Sequence, residues 1–278
     1  MESVHINPRF TFIELIAYWE GKLNTNHLAQ QFTLSRQQCS TELNNYLARY
    51  PQNLTYDKSL KGYLPTENFM MHYISGDVTE YLDWLHTGHI KKSQHSLWLP
   101  NESLDLPARK VSPQIMRGLV AAIRQGFSVE VDYVSLSNPN REGRLIVPHS
   151  FVNTGLRWHL RAWCEKSKEY RDFVLSRFRG EPMLENKSER SAKGDAGWNT
   201  KVTIILQPDP RLPLAKRQVL ENDYQMENGQ LHITTRGCLV QYLLREMQIN
   251  TKMLDGTPEA QQLVCVNLPD IKPWLFEG

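Results

Sequence analysis

The chain has 278 residues, 40% apolar and 22% charged, with a formal net charge of +2. That length suits two or three domains, and the charge excludes a globally basic nucleic-acid coat while permitting a local DNA-binding face. No run approaches the roughly 20 apolar residues of a membrane span, and the N-terminus lacks the basic-then-apolar pattern of a secretory signal.

The four cysteines, Cys39, Cys164, Cys238 and Cys265, lie far apart and lack zinc-site spacing. Free buried thiols of a cytoplasmic protein are expected, with no metal.

Residues 1–66 read as a winged helix-turn-helix. Pro8 opens a helix whose Phe12, Leu15, Ile16 and Trp19 follow i, i+3, i+4, i+7, and Gly21 ends it. Asn24 or Thr25 caps a short second helix with Leu28, Ala29 and Phe32. Thr33-Leu34 is a tight turn. Ser35 then caps a third helix in which Cys39, Leu43, Tyr46, Leu47 and Tyr50 recur at helical spacing. Leu54 to Pro65 reads as two strands around a polar turn. That order places the recognition helix at Ser35.

The inward stripe leaves Arg36, Gln37, Gln38, Ser40, Thr41 and Asn44 facing outward, interrupted by a single acid, Glu42. These side chains can bond base edges and phosphates. A plain solvated helix face has the same composition. The hairpin lysines, Lys58 and Lys61, suit phosphate contact. The expected DNA-contacting set is therefore Ser35, Arg36, Gln37, Gln38, Ser40, Thr41, Asn44, Lys58 and Lys61.

Residues 67–127 read as a helical connector or dimerisation segment. Met70, Tyr73, Val78, Tyr81, Leu82 and Leu85 suggest one or two helices broken at Gly76. His89 to Leu106 reads as a loop. Ser112-Pro113 opens a strong helix bearing Ile115, Met116, Leu119, Val120 and Ile123, capped by Gly126.

Residues 128–184 read as a small antiparallel barrel. Its strands are Val129 to Tyr133, Arg144 to Pro148, Trp158 to Cys164, and Arg171 to Phe178. Seven of 18 arginines fall between Arg141 and Arg179, a stretch with nine Lys/Arg and four Asp/Glu. Arginine on strands can hold an anion, or pair with Glu130, Asp132 or Asp172. Strand alternation puts His159, Arg161 and Trp163 on one face, and Arg171 and Arg177 on one side if the strand is unbroken.

Tyr133, Pro148, Gly155-x-x-Trp158-His159-Leu160-x-Ala162 and Arg171-x-Phe173-x-x-Ser176-Arg177 together resemble a WYL domain. Here His159 replaces the signature tyrosine. The layout is similar to WYL-domain repressors of bacterial phage-defence islands (BREX- and CBASS-associated, BrxR- and CapW-like). The resemblance implies an Sm-like β-barrel that binds a nucleotide or oligonucleotide effector. The expected ligand-binding residues are Tyr133, Ser135, His149, His159, Arg161, Arg171 and Arg177. It also implies transcriptional repression by a homodimer on an inverted-repeat operator of double-stranded DNA.

After the polar stretch 185–197, residues 198–278 read as βαββαβ, a ferredoxin-like C-terminal module. The fold class is thus α+β multidomain. No cofactor is expected. Catalysis is disfavoured: there is no nucleophile elbow, P-loop, zinc signature or dinucleotide fingerprint. Cys164 and His159 lie five apart on a strand and point oppositely. The alternative is a WYL-domain accessory protein that binds RNA or a partner enzyme.

Overall fold

The computed structural model describes residues 7–87, 110–252 and 256–276. The expected loop at His89 to Leu106 lies outside them. The chain divides into two compact units, residues 1–151 with 162–188, and residues 152–161 with 189–278.

The first unit begins with α1 (Pro8–Glu20), α2 (Thr25–Phe32) and α3 (Arg36–Arg49), then β1 (Leu54–Asp57) and β2 (Gly62–Pro65). Caps set these boundaries. Asn7 accepts from the Arg9 and Phe10 amides, and Gly21 closes α1 in the left-handed region. Asn24 and His27 form a reciprocal capping box on α2, and Ser35 and Gln38 form another on α3. β1 and β2 pair antiparallel, and β2 also bridges to Leu23 at Tyr63. The hairpin is thereby tied to the α1–α2 connection.

α1 is buried almost throughout, from Phe10 to Ala17 and at Trp19. It is the central post of the domain. Phe12 packs edge-on to Phe32 at 5.6 Å and Trp84 at 5.4 Å, and Phe10 meets Tyr46 at 5.3 Å. In the middle of this apolar post lies a fully buried carboxylate, Glu14. It accepts from the Tyr46 hydroxyl at 3.0 Å, the His72 amide at 2.9 Å and the Tyr73 amide at 2.8 Å.

Those amides explain one departure from expectation. Residues 67–77 are not helical, despite the spacing of Met70 and Tyr73. The Asn53 side chain bonds both backbone groups of Met70, at 3.1 and 2.8 Å, and Glu14 claims the next amides. The segment's donors are satisfied from outside, so no helix forms until α4 (Val78–Thr87).

α5 (Pro113–Gln125) packs on α1. Arg117 donates Nε–H to the Tyr18 carbonyl at 2.8 Å, and Arg124 pairs with buried Glu20 at 2.6 Å. Its other side meets β7 (Phe178–Lys187): a Cβ on Gly118 would fall 2.8 Å from Pro182.

The sheet also contains β3 (Phe127–Tyr133), β4 (Glu142–Asn153), β5 (Trp158–Cys164) and β6 (Glu169–Val174), in the order β6-β5-β4-β3-β7. β6 and β7 are its edges, so the sheet is open. The barrel expectation is met in strand number and not in closure. A 3-10 turn at Leu175–Arg177 separates β6 from β7, and bulges interrupt the β3–β7 ladder.

The second unit contains α6 (Ala196–Asn199), β8 (Lys201–Pro208), α7 (Leu214–Asp223), β9 (Leu231–Arg236), α8 (Val240–Glu246), α9 (Pro258–Gln261), β10 (Leu263–Cys265) and α10 (Leu268–Ile271). Its sheet has three strands, β10-β8-β9, all antiparallel. The ferredoxin-like layout required a fourth. Between α7 and β9, Tyr224 to Met226 forms no strand but turns into the Asn228-Gly229 reversal, where both residues have positive φ. Val202, Ile204, Leu206, Val240, Leu244 and Leu263 form the core. No described helix is long and apolar enough to cross a membrane.

Burial raises the Glu14 pKa above the usual carboxylate value, against the lowering effect of its hydrogen bonds. The folded pKa thus exceeds the unfolded one. Its contribution to stability is full below the unfolded pKa and falls as pH rises through the folded pKa. Glu14→Gln can keep an oxygen for the two backbone amides but sets its NH2 against the Tyr46 hydroxyl, which already accepts from Asn53, and is expected to cost about 1–3 kcal/mol. The wild-type margin over Glu14→Gln narrows as pH rises from about 4.5 towards neutrality. Hydrogen exchange of the α3 amides measures it; a margin that widens with pH contradicts the assignment.

Candidate nucleic-acid interface

α3 buries Cys39, Leu43 and Tyr46 and exposes Ser35, Arg36, Gln37, Gln38, Ser40, Thr41 and Asn44. All seven expected residues therefore lie on the solvent side. Asn45 is exposed on the same stripe. It stands four residues after Thr41 and eight after Gln37, a spacing sequence reasoning passed over.

These side chains are not equally free. The Gln38 carbonyl oxygen accepts from the Ser35 amide at 3.0 Å and the Ser35 hydroxyl at 2.9 Å. Gln38 is thus a capping residue whose exposed amide nitrogen alone is open. Ser40 and Thr41 donate their hydroxyls to the carbonyls of Arg36 and Gln37, both at 3.1 Å, which leaves them only acceptor capacity. The side chains of Arg36, Gln37, Asn44 and Asn45 have no hydrogen-bond partner among the described residues.

Glu42 does not spoil this face. It is largely buried and ion-paired with Arg9 of α1. The stripe therefore presents amides, hydroxyls and one guanidinium, with no open carboxylate. That is the inventory able to bond base edges and phosphates.

The β1–β2 turn carries Lys58 and Lys61, both exposed. Lys61 sits at φ 50°, and the turn is pinned by Asp57, which accepts from the Leu60 amide at 2.8 Å. Tyr56 is 53% exposed and lies edge-on to its cross-strand partner Tyr63 at 5.1 Å.

The expected ligand-binding set fares differently. Tyr133 is buried in the sheet core, edge-on to Phe173 and Phe178 at 5.0 and 5.2 Å. Its hydroxyl accepts from the Val174 amide at 3.0 Å. Ser135 closes a turn by accepting from the Asn138 amide at 2.9 Å. His149 lies 2.9 Å from Ser150 and edge-on to Tyr170. Arg171 is exposed and pairs with Glu169 at 2.7 Å. Arg177 is half-buried in the 3-10 turn rather than on a strand. The break after Val174 removes the alternation argument that put Arg171 and Arg177 on one side. Asp132, a candidate partner for them, pairs with Arg141 instead.

His159 and Arg161 belong to the other unit. His159 is buried, 5.2 Å from the Tyr242 ring. Arg161 is buried and grips Asp195 through two bonds, Nε to Oδ2 at 2.7 Å and Nη2 to Oδ1 at 3.0 Å. Asp195 also caps α6 by accepting from the Trp198 amide. Arg161 therefore holds α6 to the β5 strand.

Asp195→Asn tests that assignment. Breaking one partner of a buried pair costs about 3–5 kcal/mol, so a large drop in melting temperature is expected. Unchanged stability would return Arg161 to the ligand-binding set.

Comparison with known proteins places three family models along the chain. Residues 5–87 match the BrxR transcriptional regulator winged helix-turn-helix domain, residues 114–180 the WYL domain, and residues 201–271 the BrxR transcriptional regulator C-terminal dimerization domain. The chain is 35% identical over 268 residues to the DNA-binding transcriptional repressor CapW of Escherichia coli (strain KTE188), covering 95% of this chain and 89% of that protein. It is 34% identical to the protein of that name from Pseudomonas aeruginosa, covering 95% and 90%. Against that of Stenotrophomonas maltophilia it is 30% identical, covering 98% and 92%.

Proposed function

Because the chain belongs to the family of CapW- and BrxR-type transcriptional regulators, we propose that it is a DNA-binding transcriptional repressor acting as a homodimer on an inverted repeat. The observation that carries this reading is the α3 face: exposed, free of open carboxylates, with Arg36, Gln37, Asn44 and Asn45 lacking partners among the described residues, beside a hairpin with exposed Lys58 and Lys61.

One recognition helix reaches too few base pairs to mark a genomic site, so two-fold pairing is the usual solution. The C-terminal region matching a dimerization domain supports that pairing. The proposed targets are a phage-defence operon and the chain's own promoter; a role in phage defence is consistent with the CapW and BrxR names. In this reading residues 1–66 bind DNA, 67–127 connect, 128–184 sense and 198–278 dimerise. Tyr133 and Arg161 leave the sensing set because their polar groups are engaged within the fold. The anionic-effector reading then rests on Ser135, His149, His159, Arg171 and Arg177, of which Arg171 is exposed and pairs with Glu169. The reading requires no catalysis. The alternative, an accessory protein that binds RNA, predicts preference for single strands over duplex.

A gel shift on duplex from upstream of the chain's own gene, with random duplex and RNA competitors, tests the function. Gln37→Ala is expected to relax sequence preference by about 1–3 kcal/mol at one position. Lys58→Ala is expected to weaken all duplexes alike and to lower the salt slope by about one. Lys58 is the better probe because Lys61 has a left-handed backbone that substitution disturbs. Equal loss on every sequence from both variants refutes the division. Stronger retention of RNA refutes the repressor reading.

A further inference from the structure

We propose that Leu60, at the apex of the β1–β2 hairpin, is an apolar wedge that enters the minor groove of the bound duplex and partly unstacks one base step. The proposal rests on the DNA-binding reading and names how one part of that interface discriminates sequence. Only four residues, Lys58, Ser59, Leu60 and Lys61, join Asp57 to its cross-strand partner Gly62. Turn positions are ordinarily filled by Gly, Pro, Asn, Asp or Ser. Here one of the four is a leucine, 51% exposed, between two exposed lysines.

A single exposed leucine is ordinary on a protein surface. This one is set apart by the turn that holds it. The Asp57 carboxylate accepts from the Leu60 amide at 2.8 Å, and Lys61 closes the turn in the left-handed region at φ 50°. Below the apex, Leu23 and Tyr63 exchange two backbone hydrogen bonds, at 2.9 and 2.7 Å. Gly62 lies so close to that connection that a Cβ would fall 3.1 Å from the Leu23 carbonyl oxygen. The leucine is therefore presented on a braced turn, which cuts the ordering cost of inserting it.

Its neighbours select the environment it enters. Between Leu54 and Pro65 the one acid is Asp57, and its carboxylate holds the turn. An apolar side chain flanked by two cations suits a hydrophobic slot between anionic rails. An opened base step between two phosphate backbones is such a slot. Paired strands lie about 4.8 Å apart before side chains are added, so the hairpin is too broad for a B-form minor groove about 6 Å wide. Unstacking a step kinks the duplex towards the major groove and opens the minor groove, so the wedge and the entry of the hairpin depend on each other. Pyrimidine–purine steps kink most easily. The apex thus favours such a step without bonding a base edge, while α3 reads edges directly.

Circular-permutation gel shifts of the full chain on the duplex from upstream of its own gene test the wedge. The mobility of the wild-type complex is expected to vary with the position of the site in the fragment, the sign of a bend. Leu60→Ala is expected to keep the base preference that α3 confers but to lose that position dependence. Lys58→Ala is expected to weaken binding and keep the bend. A mismatch at the step under the hairpin, located by hydroxyl-radical footprinting, removes stacking that the wedge otherwise has to break. It is expected to tighten wild-type binding about tenfold and Leu60→Ala binding less than about twofold. An unbent wild-type complex, or a Leu60→Ala complex as bent as the parent, overturns the wedge and leaves DNA binding standing. So does an equal gain from the mismatch in both proteins. A wild type that binds no duplex overturns the DNA-binding reading, and the wedge with it.

Discussion

The winged domain depends on one buried carboxylate. Glu14 sits in the middle of α1, a helix otherwise surrounded by apolar side chains. Its three acceptor bonds run to the recognition helix through Tyr46 and to the chain after the hairpin through His72 and Tyr73. An apolar residue there would fill the space but leave the buried Tyr46 hydroxyl and the part-buried His72 and Tyr73 amides without this acceptor, at about 1–3 kcal/mol for a fully buried donor. The carboxylate therefore specifies register as well as filling volume. Asn53 extends the network, donating to Tyr46 at 2.8 Å and holding Met70. The tilt of α3 against α1 is thus set by directional bonds as well as by hydrophobic packing, which is non-directional.

The same post is fastened at its other end. Tyr81 of α4 donates to Glu20, which also receives Arg124 of α5, while Arg117 caps the carbonyl of Tyr18. Burial lowers the Arg117 pKa, yet the guanidinium retains a carbonyl partner and lies 5.9 Å from the Tyr18 ring. α5 then meets β7 with no Cβ at Gly118. One contiguous set of packed groups links the sheet edge, α5, α1 and α3. A change at the sheet can therefore reach the recognition helix through α5 and α1.

Much of this was legible in the sequence for a stated reason. The α3 stripe, the caps at Ser35 and Gly126 and the hairpin around Lys58 are local signals, carried by spacings of three or four residues and by turn chemistry. The failures are non-local. The partner of Arg161 lies 34 residues away at Asp195, so the arginine resembled an open cation. Tyr133 has the residue type of a ligand contact, and only the fold shows its hydroxyl engaged by Val174. The break after Val174 carries no Gly or Pro, so Arg171 to Phe178 looked like one strand. Met70 and Tyr73 had helical spacing, but Asn53 and Glu14 captured the backbone groups a helix needs.

The chemistry of the α3 face suits the partner assigned to it. On α3 the face keeps open donors and acceptors, and its one carboxylate is withdrawn by Arg9; a phosphate-flanked groove rewards that arrangement. DNA offers hydrogen-bonding edges in a polar groove, so α3 can stay polar.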